Sequence, residues 1–191
     1  MKKKAVKLVV IGDASCGKSS LIHAHAAGQF QEQYVPTAFD DFSVEALVDG
    51  KMDVITISDT AGEDDFSSMR PLSYPNADCF IFCYAIDQPG TLKNLRDKWM
   101  PEIRHFCPST PVLVVGNKKD LRETASENAI PTKEAIEIVK QITALPLIEC
   151  SAKTRENIRL VFDSALSAVS SFRNRHKNKV IQSIMKLRLV F

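Results

Sequence analysis

The sequence predicts an α/β fold in which a mainly parallel, six-stranded sheet is flanked by helices. Apolar, strand-like runs alternate with helical patterns along most of the chain, as they do in βα units. Asp49-Gly50 separates the second run from the third and is typical of a hairpin turn, so these two strands should be antiparallel. A glycine-rich loop follows the first run and precedes a helix, an arrangement typical of phosphate-binding sheets.

The strands and the main helices can be assigned in chain order. Six runs are predicted to be strands: Ala5–Ile11, Phe42–Val48, Met52–Ile57, Cys79–Ile86, Pro111–Val115 and Leu145–Glu149. Three later stretches place apolar side chains on one helical face, namely Leu92, Leu95, Trp99, Ile103 and Phe106, then Ile136, Val139 and Ile142, and then Ile158, Phe162, Ala165 and Val169. Ligands of such sheets bind beyond the carboxyl ends of the strands, so functional residues should follow the strands.

Length and composition predict one domain with a basic extension. The chain has 191 residues, of which 45% are hydrophobic and 25% charged, as is usual for a globular protein. Its last twenty residues contain six Lys or Arg and no Asp or Glu, so we divide the chain into a mildly acidic domain (residues 1–171) and a basic tail (residues 172–191). No apolar run could cross a bilayer and the five cysteines lack metal-ligand spacing, which predicts a cytoplasmic protein with reduced thiols.

The glycine-rich loop, Gly12–Ser19 (GDASCGKS), fits the phosphate-binding pattern G-x-x-x-x-G-K-[ST] and is called the P-loop below. Its two glycines allow the backbone to wrap around a phosphate, and the helix that follows adds the positive end of its dipole. Lys18 is predicted to reach the β- and γ-phosphates, and the Ser19 hydroxyl to ligate Mg²⁺. A chance glycine-rich turn is the alternative, which the flanking strand and helix disfavour.

A second motif, Asp59-Thr60-Ala61-Gly62, follows the third predicted strand. The Asp59 carboxylate at the end of a strand can hold Mg²⁺, and the Gly62 N–H can approach a γ-phosphate. Alone, this motif is equally well interpreted as a loop Asp with a turn Gly. Its place after a P-loop favours the metal-binding interpretation.

A third motif, Asn117-Lys118-Lys119-Asp120, follows the fifth predicted strand. The Asp120 carboxylate can accept two hydrogen bonds from the edge of guanine, a donor pair that adenine lacks. The Lys118 stem can cover the base, and the Asn117 amide can join this loop to the P-loop. Ser151-Ala152-Lys153, after the last strand, offers a backbone N–H to guanine. Alone, the third motif could be a solvated turn, and Ser151-Ala152-Lys153 indicates little without the other motifs.

Taken together, GDASCGKS, DTAG, NKKD and SAK resemble the motifs of the Ras-superfamily small GTPases, so the P-loop NTPase, small-GTPase fold is expected. YVPTAFDDF (Tyr34–Phe42), RPLSYP (Arg70–Pro75) and KWMPEIRHFCP (Lys98–Pro108) resemble the Rho family in particular. The segment Thr37–Phe42, and Ser58 in place of a Trp before DTAG, are similar to the atypical Wrch/Chp-type branch.

The resemblance implies a molecular switch that binds GTP and GDP with Mg²⁺ as cofactor. It assigns the nucleotide to Gly12, Asp13, Ala14, Ser15, Cys16, Gly17, Lys18, Ser19, Ser20, Phe30, Tyr34, Thr37, Asp59, Gly62, Asn117, Lys118, Asp120, Ser151, Ala152 and Lys153. It assigns Mg²⁺ to Ser19, Thr37 and Asp59, and GTP hydrolysis to Lys18, Thr37, Gly62 and Glu63.

Partners are also implied by the resemblance. Effector proteins are expected to bind Val35–Phe42 in switch I (Gln31–Asp41) and switch II (Asp59 to about Tyr74). Guanine nucleotide exchange factors are expected as well, and nucleic acid is not. The Rho resemblance connects the chain with the actin cytoskeleton, cell polarity and migration.

Two residues depart from the family in ways that predict slow hydrolysis. Ala14 stands where the family has Gly, and its methyl group is expected to obstruct the arginine finger of an activating protein, worth roughly 10³–10⁵ in rate. Glu63 replaces the glutamine that positions the attacking water, and an ionised carboxylate only accepts hydrogen bonds. Glu63 acting as a general base is the opposing interpretation. A hydrolysis-deficient, GTP-bound adaptor and, more remotely, a P-loop nucleotide kinase are the alternative functions.

Two further segments depart from the Rho pattern. Leu121–Ile130 is too short for the helical insert of most Rho proteins, and no cysteine follows Cys150, so a prenyl anchor is not expected. Instead, an apolar stripe flanked by Lys179 and Lys186 is formed by Val180, Ile184, Leu187 and Phe191. The alternatives for this tail are contact with the anionic cytoplasmic face of the plasma membrane and a solvated tail.

Overall fold

The computed structural model describes residues 5–28, 39–48, 50–122, 129–142 and 145–188, with the backbone alone for residues 39 and 179–188. Six strands form one sheet: β1 (Val6–Ile11), β2 (Phe39–Val48), β3 (Lys51–Thr60), β4 (Cys79–Ala85), β5 (Val112–Asn117) and β6 (Ile148–Glu149). Their order across the sheet is β2-β3-β1-β4-β5-β6, and only the β2–β3 pair is antiparallel. The predicted sheet is therefore confirmed.

All six strands differ in length from the prediction, but only β2, β3 and β6 differ by more than one residue. The β2–β3 ladder continues through polar residues until Phe39 lies opposite Thr60. Backbone pairing, which hydrophobicity does not reveal, extends the start of β2 and the end of β3. β6 is shorter than predicted, because only Ile148 and Glu149 pair with β5.

Helices cover both faces of the sheet. They are α1 (Lys18–Ala26), α2 (Pro89–Asn94), α3 (Met100–Phe106), α4 (Thr132–Ile142) and α5 (Ile158–Arg188), and a π-helical turn (Leu95–Trp99) joins α2 to α3. Short 3₁₀ turns lie at Asp64–Phe66, Arg70–Ser73 and Lys119–Leu121. None of the described helices combines the length and the apolar character that a bilayer-spanning helix needs.

The sheet divides the core into two layers. Alternating side chains of β1 show this division: Val6, Leu8 and Val10 pack towards α1 and α5, whereas Val9 and Ile11 pack towards α2, α3 and α4. Every residue of β4 is buried, as expected for a central strand with helices on both sides.

The predicted apolar faces are largely buried. All four residues chosen in α5 are buried, as are Leu92, Leu95, Trp99 and Ile103. Phe106 is 50% exposed, because it ends α3 and lies beside Tyr74 at the rim of the core. In α4, Val139 is buried but Ile136 and Ile142 only partly so, and Ala135 takes the other buried position.

Some predictions concern segments that the structure describes in part or not at all. The backbone of α5 is helical from Ile158 to Arg188, so the predicted boundary at residue 171 lies within a helix. Val180, Ile184 and Leu187 lie on that helix, and Phe191 lies outside the described residues. Most of the segment Leu121–Ile130, where the insert was expected to be missing, is also outside them. The five cysteines are all free thiols, and four of them are buried.

Candidate functional site

The P-loop connects β1 to α1 in a conformation that requires both of its glycines. Gly12 and Gly17 have φ angles of 145° and 90°, which side chains other than glycine rarely adopt. A Cβ on Gly12 would lie 2.1 Å from the Cys83 carbonyl oxygen of β4. The loop therefore lies directly against the central strand, as its sequence pattern predicts.

Lys18 is held within the loop. Its side chain is buried, and its ammonium donates hydrogen bonds to the carbonyl oxygens of Gly12 (3.0 Å) and Asp13 (2.8 Å). Lys18 is also the first residue of α1, whose free N–H groups carry the positive end of the helix dipole. The ammonium and the helix end together favour an anion at this loop.

The other P-loop residues have different environments. Ala14 is half-buried, whereas Ser15 is exposed with a φ of 58°. Cys16 is fully buried and Ser20 is half-buried on α1. The Asp13 carboxylate accepts hydrogen bonds from the α2–α3 region rather than lining the loop, so its part in nucleotide binding is limited to its backbone.

Asp59 is a buried carboxylate near the end of β3. It is 1% exposed, and neither of its oxygens has a well-formed hydrogen bond. Burial raises the pKa of this carboxyl, while the nearby Ser19 hydroxyl and Lys18 ammonium oppose the rise. A buried carboxylate whose oxygens lack well-formed hydrogen bonds, beside a hydroxyl, fits Mg²⁺, which prefers such oxygen ligands.

Mg²⁺ would need further ligands besides Asp59 and Ser19. Within the described part of the chain, no cluster of three His, Cys, Asp or Glu could hold a metal ion. Phosphate oxygens of a nucleotide are the natural complement, since Mg²⁺ is commonly held by one or two protein groups plus phosphates. Three predicted ligands, Phe30, Tyr34 and Thr37, lie outside the described residues, as do residues 35–38 of switch I.

Gly62 brings the second motif against the P-loop. A Cβ at this position would lie 2.4 Å from the backbone nitrogen of Ala14 and 2.5 Å from the Gly12 carbonyl oxygen. The two backbones are therefore in contact, and Glu63 follows directly as a half-buried residue. The structure thus brings Ala14, Gly62 and Glu63 together, although Ala14 and Glu63 are far apart in sequence.

The Asn117 amide joins three loops at the other end of the site. It donates to the Gly17 carbonyl oxygen (3.1 Å) and accepts from the Ala152 N–H (3.2 Å). The Ser151 hydroxyl donates to the Asp120 carboxylate (2.5 Å) and orients it. The third motif, the P-loop and Ser151-Ala152-Lys153 therefore form one connected surface at the carboxyl ends of the parallel strands.

The two lysines of this region differ. Lys118 has a φ of 63°, and its ammonium lies 3.5 Å from the Asp87 carboxylate. Lys153 is exposed. Because Lys118 has a fixed partner, its aliphatic stem is available to cover a base.

Sequence reasoning missed a buried polar cluster behind the P-loop. Arg70, Tyr74, Trp99 and Glu102 are linked by hydrogen bonds and stacking, and Arg70 is fully buried. An Arg and a Glu on segments of mixed polarity suggest surface residues. Only the partners, which come from distant parts of the chain, show that they are internal.

A comparison with known protein families agrees with this site. The model described as Ras family matches residues 7–171, which include all four motifs. The matched residues hold the six-stranded sheet, the P-loop and the connected loops described above. The chain therefore belongs to the Ras family, and it is a small GTPase with a Ras-like domain.

Proposed function

We propose that this protein is a Rho-type switch, of the atypical Wrch/Chp kind, that binds GTP and GDP with Mg²⁺ and hydrolyses GTP slowly. The segments Tyr34–Phe42, Arg70–Pro75 and Lys98–Pro108 support the Rho assignment by their resemblance. The contact between Gly62 and the Ala14 backbone supports slow hydrolysis, and it is the observation on which this proposal chiefly depends.

Ala14 lies where the P-loop and switch II meet. Since the Gly62 and Ala14 backbones already touch, a methyl group at residue 14 takes up space that glycine leaves to an incoming arginine finger. Such a finger is worth about 10³–10⁵ in rate, so even partial exclusion has a large effect.

Glu63 adds an electrostatic obstacle in the same place. A carboxylate can accept hydrogen bonds from water. Unlike a glutamine amide, it cannot donate a hydrogen bond to the phosphate. Its negative charge would also oppose the charge that the transferring phosphoryl group gains. General-base action by Glu63 would offset this effect little, because a loose transition state needs little base assistance.

A single-turnover assay on the purified, GTP-loaded protein tests this proposal. Phosphate release and nucleotide dissociation are followed together for the wild type, Ala14→Gly, Glu63→Gln and the double variant. We expect the double variant to hydrolyse GTP at least about tenfold faster, because the loss of a single catalytic hydrogen bond typically costs about 10²–10³ in rate. Asp65→Asn removes an exposed negative charge from the same segment and should leave the rate unchanged.

The outcomes separate the candidate functions. An unchanged rate in the double variant would refute the roles assigned to Ala14 and Glu63. Dissociation that outpaces hydrolysis in the wild type would favour the second candidate, a mainly GTP-bound adaptor controlled by exchange factors or by abundance. Ala14 and Glu63 are the specific residues that favour that candidate.

Effector binding is proposed for switch I (Val35–Phe42) and switch II. Two apolar side chains of switch II, Met69 and Leu72, are 50% and 74% exposed, as a protein-binding surface requires.

Membrane contact is proposed for the tail, whose backbone is helical up to Arg188 and whose sequence is basic. Localisation of a green fluorescent fusion in cells, with and without residues 172–191, tests this; an unchanged distribution would exclude a targeting role.

A further inference from the structure

A cavity of about 660 Å³ lies at the other end of β5 from the nucleotide site. Its walls come from the loop after α3, the start of β5, the end of α4 with the loop that follows it, and the middle of α5. β5 begins at this cavity and ends at Asn117, which joins the loops of the nucleotide site. The cavity is therefore separate from that site, and its volume is typical of a small-molecule site.

The described side chains that line this cavity are apolar, hydroxyl-bearing or basic, and none of them is acidic. Three of the apolar ones are only half-buried, so they offer an apolar surface to a ligand: Ile142, Leu145 and Phe172. Arg104 and Arg175 supply two guanidinium groups. Apolar walls together with positive charge complement a ligand that is both apolar and anionic.

Arg104 is fixed at the cavity wall by the loop that follows α3. Its Nη1 donates to the carbonyl oxygens of Thr110 (2.7 Å) and Cys107 (3.4 Å). Burial lowers the pKa of Arg104, as expected for a cation withdrawn from water beside neutral groups. A guanidinium has five N–H donors, so Arg104 can hold these carbonyl groups and still donate to an anionic ligand.

Arg175 brings the second guanidinium from α5. Its Nε donates to the carbonyl oxygen of Ser171 (3.4 Å), one helical turn earlier, and its side chain is exposed. Among the described residues, no carboxylate forms an ion pair with Arg104 or Arg175. Guanidinium groups bind phosphate well, because two parallel N–H groups match two phosphate oxygens.

We propose that this cavity binds an anionic phospholipid, whose phosphate contacts Arg104 and Arg175 and whose acyl chain lies against the apolar walls. The position of the cavity favours a lipid over a free phosphate, because α5 forms one wall and continues into the basic tail (residues 172–191). A membrane on which the tail lies is therefore beside the cavity. The inference deepens the membrane contact proposed above and rests on it for the choice of a lipid.

Lys177 provides a matched control. It is exposed on α5 two residues after Arg175, and it does not line the cavity. Lys177→Gln and Arg175→Gln each remove one positive charge from the same helix, so they weaken a general attraction to anions alike. Ser167→Phe tests the cavity without a change of charge, because Ser167 is an exposed residue of α5 that lines it.

The first test titrates the full chain, loaded with GDP, with monomeric dihexanoyl phosphatidic acid. The backbone ¹⁵N–¹H signals of Ser109, Thr110 and Ser171 report the walls of the cavity, and we expect them to shift along a saturable curve. Arg104→Gln and Arg175→Gln should each weaken binding about tenfold, the scale of one hydrogen bond to a charged group.

Lys177→Gln should weaken the same binding less than about threefold, as is usual for an exposed charge, and Ser167→Phe should abolish it. Melting temperatures show which variants remain folded, and the exposed Arg175 keeps the test decisive if Arg104→Gln does not. Equal losses in Arg175→Gln and Lys177→Gln would mean that the lipid is attracted to the tail in general, and would overturn the inference.

Inorganic phosphate and dihexanoyl phosphatidylcholine separate the two parts of the ligand. The first has the anion without the chains, and the second has the chains without a net charge. We expect phosphatidic acid to bind at least about tenfold tighter than either, since burial of two methylene groups alone accounts for such a factor. Equal binding of inorganic phosphate would identify a simple anion site, and equal binding of phosphatidylcholine an apolar site; either result would overturn the inference.

Sedimentation with phosphatidylcholine vesicles, with and without phosphatidic acid, completes the test. We expect Arg175→Gln and Ser167→Phe to lower the fraction bound to the anionic vesicles more than Lys177→Gln does. Equal binding of the wild type and all variants would overturn the inference while the membrane contact of the tail stands. Wild-type protein that binds dihexanoyl phosphatidic acid but no vesicle would refute the membrane contact, and the assignment of a membrane lipid with it.

Discussion

Gly62→Ala is the perturbation with the clearest geometric basis. Gly62 has an ordinary backbone conformation, so an added methyl group meets no strain from the φ angle. Its Cβ would instead lie 2.4 Å from Ala14 N, 2.4 Å from the Asp13 carbonyl carbon and 2.5 Å from the Gly12 carbonyl oxygen. All three are backbone atoms of the P-loop, so no side chain can rotate away to relieve the contact.

The magnitude follows from the displacement that is needed. Ordinary van der Waals contact begins at 3.4 Å, so the backbones of Gly62 and the P-loop have to move apart by about 1 Å. Inserting an extra methyl group into a well-packed contact typically lowers the free energy of unfolding by about 1–3 kcal/mol. For a domain of this size, that corresponds to a fall in melting temperature of about 2–4 °C per kcal/mol.

The assay compares melting temperature and nucleotide affinity with those of Gly90→Ala. A Cβ on Gly90 meets nothing within 4 Å, and Gly90 lies in α2, so this control should be neutral or slightly stabilising. We expect Gly62→Ala to weaken binding of the non-hydrolysable GTP analogue GppNHp about tenfold more than binding of GDP, because Gly62 is the residue that is predicted to approach the γ-phosphate. An unchanged melting temperature together with an unchanged affinity ratio would refute the packing argument.

Three further predictions concern other parts of the site. Asn117→Ala removes the amide that joins three loops and should lower the free energy of unfolding by about 1–3 kcal/mol in urea titrations, with weaker guanine-nucleotide binding. Asp59→Asn removes a buried charge whose two oxygens have no well-formed hydrogen bond, so it should raise the melting temperature of the nucleotide-free protein and abolish the slowing of GDP dissociation by Mg²⁺; a lower melting temperature would contradict this reasoning. Burial tends to raise the pKa of Glu102, but Arg70 and Tyr74 bring it below its ordinary value. The wild type should therefore be more stable than Glu102→Gln at pH 7, and the difference should shrink as the pH falls below the ordinary pKa of a glutamate, as followed by melting curves from pH 7 to pH 3; a difference that does not change with pH would exclude the ion pair as its source.

Most of the fold followed from local patterns. Alternating βα segments, the glycine-rich loop and the Asp49-Gly50 turn predict the mainly parallel sheet and its antiparallel pair. The start of β2 was less predictable, because Asp40 and Asp41 pair with β3 through their backbone while their side chains are polar. The exposure of Phe106 was also missed, since periodicity places a residue on a face but does not say where the helix runs past the edge of the core.

The candidate site divides in a similar way. The sequence by itself determined the residue types at the strand ends, because phosphate, Mg²⁺ and guanine each require particular groups at short, regular spacings. Only the tertiary structure decided that Asp13 faces Trp99, that Arg70 is buried, and that Gly62 touches the P-loop. The physical reason is that a motif depends on contacts within a few residues, whereas a buried ion pair or a backbone contact depends on which distant segments the sheet brings together.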